Sequence, residues 1–285
     1  MTDIYRPDGS FDCTTNRLPH RSKFDAEHTI RWIWKDLGLP GSNLPYSLLG
    51  ERAALLPSSF NIGHLAQASI ALSALAAASV DALRNNAPAR KYGALSMTPT
   101  SFFRATDLAL SQPKKLGPEH LSKLRPGLIY ASLNAWGDDG PWAHNRGFGS
   151  IVQTVSGMNV SEAEHFGTSP AKAMPVQALD HAAGYLLATG ISAALYKRAI
   201  ERGSWEVTVS LAGVMKYLRS LGQHPGRSGF ECEGLTEGEL ESFLEARETG
   251  FGTLRAVSHS AQVEGKHPGW DVMPKLLGSD QAEWL

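Results

Sequence analysis

The chain has 285 residues, 42% hydrophobic and 19% charged, which is enough to bury a sizeable core and suggests about two domains. Its 27 basic and 28 acidic side chains leave a net charge of −1, so it lacks the electrostatic footprint of a nucleic-acid or anionic-membrane binder. The two cysteines, Cys13 and Cys232, stand far apart and form no metal-ligand pattern, which points to a cytoplasmic or other reduced intracellular compartment.

The stretch from Met1 to Gly9 is polar, without the apolar run of a secretory signal. Ile30, Ile33, Trp34 and Leu37 recur at helical spacing and predict a helix over Asp25–Leu37, stopped by Gly38 and Pro40. Pro57-Ser-Ser leads into an Ala-rich helix running to about Arg84. Its centre is apolar, but mostly through alanine, so a packed core helix is expected rather than a membrane span. Asn85–Lys91 reads as a linker. Gly93–Met97 fits a short strand, and Phe102–Leu110 fits either a helix or a strand.

A short helix over Pro118–Arg125 precedes the strand Leu128–Leu133. Next come a Trp/Gly/Pro turn, Ala135-Trp-Gly-Asp-Asp-Gly-Pro-Trp142, and a helix around Phe148–Gly157. A polar loop leads to an extended apolar run, Val176–Leu179, and a long helix from Asp180 to about Arg202. Gly203 ends that helix, with Lys197, Arg198 and Arg202 in its last turns, where the helix dipole favours cations. Trp205–Ser210 alternates as a strand, Leu211–Leu221 is helical, and the tail holds a helix near Thr236–Arg247 and a strand near Gly252–Val257. This order indicates α/β architecture. The expected organisation is an N-terminal helical segment (1–90), a core (91–222) and a loop-rich extension (223–285).

No GxSxG elbow, phosphate-binding GxxxxGK[ST] loop or HExxH helix is present, and the ten histidines are scattered singly, so no metal site is expected. Gly147-Phe-Gly149 lacks the third glycine of a dinucleotide fingerprint. Asp180 has two readings. It is a preferred helix N-cap, a role worth about 1 kcal/mol. The same environment also suits a nucleophile, because helix N-terminal amides keep a carboxylate ionised and Ala182, Ala183 and Gly184 leave room for a bulky ligand.

Three connected blocks resemble CoA-transferase family III, the CaiB/BaiF group. They are Leu124–Leu133, the turn Ala135–Phe148, and Asp180–Ser210 continuing into Leu211-Ala-Gly-Val-Met215. The resemblance implies an α/β, partial CoA-transferase family III fold: a Rossmann-like parallel sheet with flanking helices, incomplete in its N-terminal part. It implies that Asp180 attacks an acyl-CoA and carries CoA as an aspartyl thioester. Trp136, Gly137, Gly140, Phe148 and Gln177 would shape the acyl-CoA site, with His181 a supporting candidate. No cofactor would be bound permanently, since coenzyme A and acyl-CoA are substrates. The partners implied are an acyl-CoA, a small carboxylic acid and a second copy of the chain in a homodimer.

The chain also departs from that family. Residues 1–117 hold none of its N-terminal nucleotide-fold motifs, and its phosphate-binding arginine segment is matched only by Leu110-Ser-Gln-Pro-Lys-Lys115. Lys114 or Lys115 would then meet CoA phosphates as a point charge. These losses leave open a shortened, non-catalytic paralogue. Racemase relatives need a base in this turn, usually a histidine at the position of Phe148, and commonly carry an acidic residue just after it, where this chain has Gly149. Proton transfer lacks one of its two partners, so racemase activity is disfavoured.

Overall fold

The computed structural model describes residues 20–40, 46–49, 56–85, 92–95, 117–232, 234–263, 269–270 and 272–280. Lys114, Lys115, Cys13 and the ambiguous segment Phe102–Leu110 lie outside the described residues, as does most of the expected linker after Asn85.

Helix α1 (Ala26–Asp36) starts where Asp25 accepts the backbone N–H of His28, satisfying one of the free first-turn donors. Helix α2 (Ile62–Asn85) and helix α6 (Ala178–Glu201), each 24 residues long, lie against each other. Their alanine content allows this close approach. The first hydrophobic core gathers Ile30 and Trp34 of α1, Leu72 and Leu75 of α2, and Ala193 of α6. By length and composition α2 could cross a membrane, yet 67% of its most apolar window is buried within the protein, as for a core helix.

Strand β1 (Tyr46–Leu49) pairs parallel with β2 (Tyr92–Leu95), which also takes β7 (Ala261–Val263) antiparallel on its other edge. Separately, β3 (Ile129–Asn134) and β4 (Trp205–Ser210) pair parallel from Ile129↔Trp205 to Asn134↔Ser210. The fold is thus mixed α/β. Its parallel pairing falls into two small sheets rather than one continuous layer among the described residues. A parallel pair requires a crossover. Here the crossover runs through α4 (Gly149–Val155), α5 (Met158–Phe166) and α6.

Helix α6 runs antiparallel to the strands. Arg198 near its end donates to the Gly127 carbonyl at 2.9 Å, just before β3. Its first turn therefore lies toward the carboxyl ends of β3 and β4, where open α/β sheets present their ligand crevices. Ser210 caps α7 (Leu211–Ser220) by accepting the Gly213 N–H. A second core joins Phe60 and Leu65 to Val152, Met158, Leu179, Val214 and Leu218. A short helix α3 (Pro118–Leu124) precedes β3.

Three expectations change. The helix expected around Phe148–Gly157 ends at Val155. Gly157 turns left-handed (φ 74), and α5 follows where a polar loop was expected. Within α5, Met158, Glu162 and Ala163 are buried. The run Val176–Leu179 is not extended, because Pro175–Gln177 forms a 3-10 turn and α6 begins at Ala178. The helix near Thr236–Arg247 is only α8 (Glu237–Glu241), set by a Thr236/Glu239 capping box. From Leu244 the chain is instead β5 (Leu244–Thr249), which forms a hairpin with β6 (Gly252–Val257).

Candidate functional site

Asp180 is the third residue of α6, not its N-cap; Gln177 holds the cap position, in a left-handed conformation and without a side-chain cap bond. The cap reading therefore falls, and a different contact positions the carboxylate. It lies over the Cα of Gly149, where a Cβ would stand 1.9 Å from Oδ2, 2.8 Å from Cγ and 3.2 Å from Oδ1. No other residue type fits at 149 without moving Asp180. Burial pushes the Asp180 carboxyl above its ordinary value, while the N–H groups of Asp180 itself and of Gly149, and the nearby His181, pull it back down.

A line of close contacts extends from this seat into the Trp/Gly turn. A Cβ at Gly147 would fall 2.6 Å from the Ala135 Cβ and 2.9 Å from the Trp136 ring. Trp136 meets Trp142 edge-on, with centroids 4.7 Å apart at 90°, and its Nε1 donates to the Arg146 carbonyl. The turn itself is tied down by the Gly137 N–H, which donates to Asn134 Oδ1 at 2.7 Å at the end of β3. Gly137 (φ 93) and Gly140 (φ 95) both adopt the left-handed region that glycine enters without strain. The Ala212 N–H donates to the Ala135 carbonyl, fixing the turn to the start of α7.

The structure thus brings Trp136, Gly137 and Phe148 into one neighbourhood with Asp180, along a path through Gly147 and Gly149. Gly140 lies in the same turn, which closes by a hydrogen bond from the Ala143 N–H to the Gly140 carbonyl. Phe148 is 65% exposed at the start of α4 and, with Ile151 and Val155, leaves an apolar stripe beside the seat. Gln177 is exposed and follows Val176, so that two successive non-glycine residues adopt positive φ (58 and 45). A β-branched residue there is strained, a condition that clusters near functional sites.

His181 takes a different direction. It lines a small apolar cavity between α2 and α6 with Leu65, Ser69, Val176 and Tyr185. Successive helical residues turn by about 100°, so Ala178, Ala182 and Tyr185 face this cavity while Asp180 faces α4. Among the described residues no cluster of three or more His, Cys, Asp or Glu could hold a metal.

Gly147 and Gly149 were not among the expected site residues. The Gly-Phe-Gly spacing carries their signal, but in the sequence it reads only as an incomplete nucleotide fingerprint and as the place where racemase relatives carry titratable groups.

A parallel strand–helix–strand crossover thus sets a half-buried carboxylate at the strands' carboxyl ends with a Trp/Gly turn beside it, the end at which open α/β sheets present ligand crevices. Residues 109–226 match the family model of CoA-transferase family III. It is 36% identical over 83 residues to a probable fatty acyl-CoA transferase of Mycobacterium tuberculosis, covering 29% of this chain and 21% of the relative. It is 31% identical over 119 residues to an acetyl-CoA:oxalate CoA-transferase of Acetobacter aceti, covering 39% and 30%. The chain thus spans less than a third of the length of these curated relatives. Among solved structures, a CaiB/BaiF family protein from Brucella suis aligns at 20% identity over 52% of this chain and 39% of that one, with a TM-score of 0.37. A hypothetical protein from Mycobacterium tuberculosis aligns at 30% identity over 41% and 32%, with a TM-score of 0.35.

Proposed function

We propose that the chain moves coenzyme A between an acyl-CoA and a carboxylic acid through an aspartyl-CoA thioester on Asp180. The observation that carries this reading is the Asp180 carboxylate itself. It lies within the family-matched segment, half-buried, seated on Gly149 and joined by close packing to the Trp136 turn.

A carboxylate suits such an exchange because covalent catalysis divides one difficult displacement into easier steps. One Asp180 oxygen bonds to the acyl carbon as its C–S bond breaks, giving a mixed anhydride and CoA thiolate. The thiolate then attacks Asp180 Cγ, and the donor's acid leaves as a carboxylate. The acceptor carboxylate attacks the same Cγ, releasing the thiolate again. That thiolate takes the new acyl group and frees Asp180. Every nucleophile and leaving group is an anion, so no proton need move. Consistent with this, the positions of Phe148 and Gly149 carry no titratable side chain, whereas a proton-shuttling racemase would need one there.

A second reading is a non-catalytic member that has kept the fold. The observation favouring it is that residues 1–117 hold none of the family's N-terminal nucleotide-fold motifs and no counterpart of its phosphate-binding arginine. Isothermal calorimetry with CoA, paired with a transfer assay from acetyl-CoA to a panel of small carboxylic acids, separates the two. The transferase reading expects CoA binding and transfer that Asp180→Ala abolishes. Absence of both binding and transfer would leave the non-catalytic reading. The homodimer is likewise a proposal, tested by light scattering.

A further inference from the structure

Helix α4 begins with a residue that has no side chain at the one place where the nucleophile's carboxylate rests. A Cβ at 149 would meet three atoms of the carboxyl group, Oδ2 at 1.9 Å, Cγ at 2.8 Å and Oδ1 at 3.2 Å. Oδ2 is the oxygen pressed into the missing Cβ position, and Oδ1 is the one turned further away. The contact is backbone to side chain across the crossover, between the start of α4 and the first turn of α6. Neither partner can yield easily: Leu179, beside Asp180, is fully buried, and so is Val152, one turn into α4. Gly147, two residues earlier, is wedged against Ala135 and the Trp136 ring.

We infer that Gly149 is a positioning residue for Asp180: its empty Cβ position is the seat that directs the carboxylate toward the Trp136 side of the crevice, leaving Oδ1 as the attacking oxygen. This rests on the transferase reading and adds to it a residue chosen for what it lacks. Any side chain at 149, including an acidic one, would expel the carboxylate from the seat. Displacing a reacting group by about 1 Å is enough to cost about 10²-fold in rate.

Gly149→Ala tests this because it keeps the 149 N–H and adds only the Cβ. Three readouts are taken on the full chain: the rate at which acetyl-CoA labels Asp180 by mass spectrometry, the Kd for CoA by calorimetry, and the titration of the Asp180 carboxyl by carbon-13 NMR. Melting temperature confirms that the variant folds, and Gly149→Ser gives a second variant with the same added Cβ. The inference expects labelling about 10²-fold slower with an unchanged CoA Kd, and a carboxyl titration that falls toward the ordinary aspartate value as the group moves into solvent. A folded Gly149→Ala that labels at the wild-type rate overturns it. A wild-type chain that never labels overturns the transferase reading instead. The titration then judges the seat alone, and an unmoved midpoint in Gly149→Ala would sink it.

Discussion

Gly190 of α6 lies so close to Val207 of β4 that a Cβ at 190 would fall 2.5 Å from Val207 Cγ1. This contact sets how near α6 lies to the β3–β4 pair, and so how far its first turn, with Asp180, projects past the strand ends. Two opposing effects decide what alanine does here. Removing a helical glycine favours the fold by about 1 kcal/mol, whereas overpacking a stiff β-branched neighbour costs about 1–3 kcal/mol. At 2.5 Å the overpacking wins, so Gly190→Ala is expected to lower the urea midpoint. Gly184, on the same helix, has nothing within 4 Å of its Cβ position, and Gly184→Ala is expected to raise the midpoint. If both changes shift the midpoint in the same direction, the packing of α6 on β4 has been misread.

His64 gives the fold an acid sensitivity. It sits in α2 with Nε2 2.7 Å from Thr29 Oγ1, and Thr29 accepts the Tyr217 hydroxyl at 2.8 Å. Because Tyr217 donates, the Thr29 hydrogen is free to donate to an unprotonated Nε2. Burial holds His64 down at about 4, from 6.5, only partly opposed by Asp25. The folded chain therefore binds this proton less readily than the unfolded chain. Stability from this site is full above pH 6.5 and falls as pH drops toward about 4, by about 3 kcal/mol. Urea titrations across this range check the slope, and His64→Gln is expected to flatten it. A variant that keeps the full slope would place the acid sensitivity elsewhere.

Glu162 is fully buried in α5, and its Oε2 accepts both the N–H of Ser59 at 3.0 Å and its hydroxyl at 2.5 Å. Gln223 donates to the same hydroxyl at 2.8 Å, so one serine joins the segment before α2 to α5 and to the segment after α7. Ser59→Ala removes a donor from a buried carboxyl group and an acceptor from Gln223. A loss of about 1–3 kcal/mol is expected in denaturant titration. A change below 0.5 kcal/mol, roughly the size of an ordinary surface substitution, would mean that the junction is not structural.

The Asp180 titration predicts a pH profile for chemistry. Burial raises its carboxyl above 3.8, so labelling by acyl-CoA is expected to rise with pH through a midpoint above that value. The sign for stability is the opposite. The folded chain holds this proton more tightly than the unfolded chain, so the group favours folding in acid, and this contribution is lost as pH rises from 3.8 through the folded midpoint. A labelling profile centred at or below 3.8 would show that the carboxyl is not buried in the working state.

Much of the crossover was legible because its signals are local. Alternation marked β4, Gly203 marked the end of α6, and the helical stretch from Leu211 marked α7, all close to where the structure places them. The turn before Asp180 was not legible. Val176 and Gln177 are apolar or neutral residues of types that ordinarily keep φ negative, yet they stand at φ 58 and 45. Helix α5 was hidden because its buried residues, Met158, Glu162 and Ala163, include a charged one that reads as surface. The seat was hidden for a similar reason: a glycine states what it permits, but not which side chain will come to fill the space. The relation between residues 149 and 180 exists only once α4 and α6 have packed.

The most direct measurement is the mass of the intact protein after incubation with acetyl-CoA, followed by peptide mapping of residues 178–201. The transferase account predicts a CoA thioester on Asp180, sensitive to hydroxylamine and absent from Asp180→Ala. An unmodified Asp180 under saturating acetyl-CoA, in a folded chain that binds CoA, would contradict it.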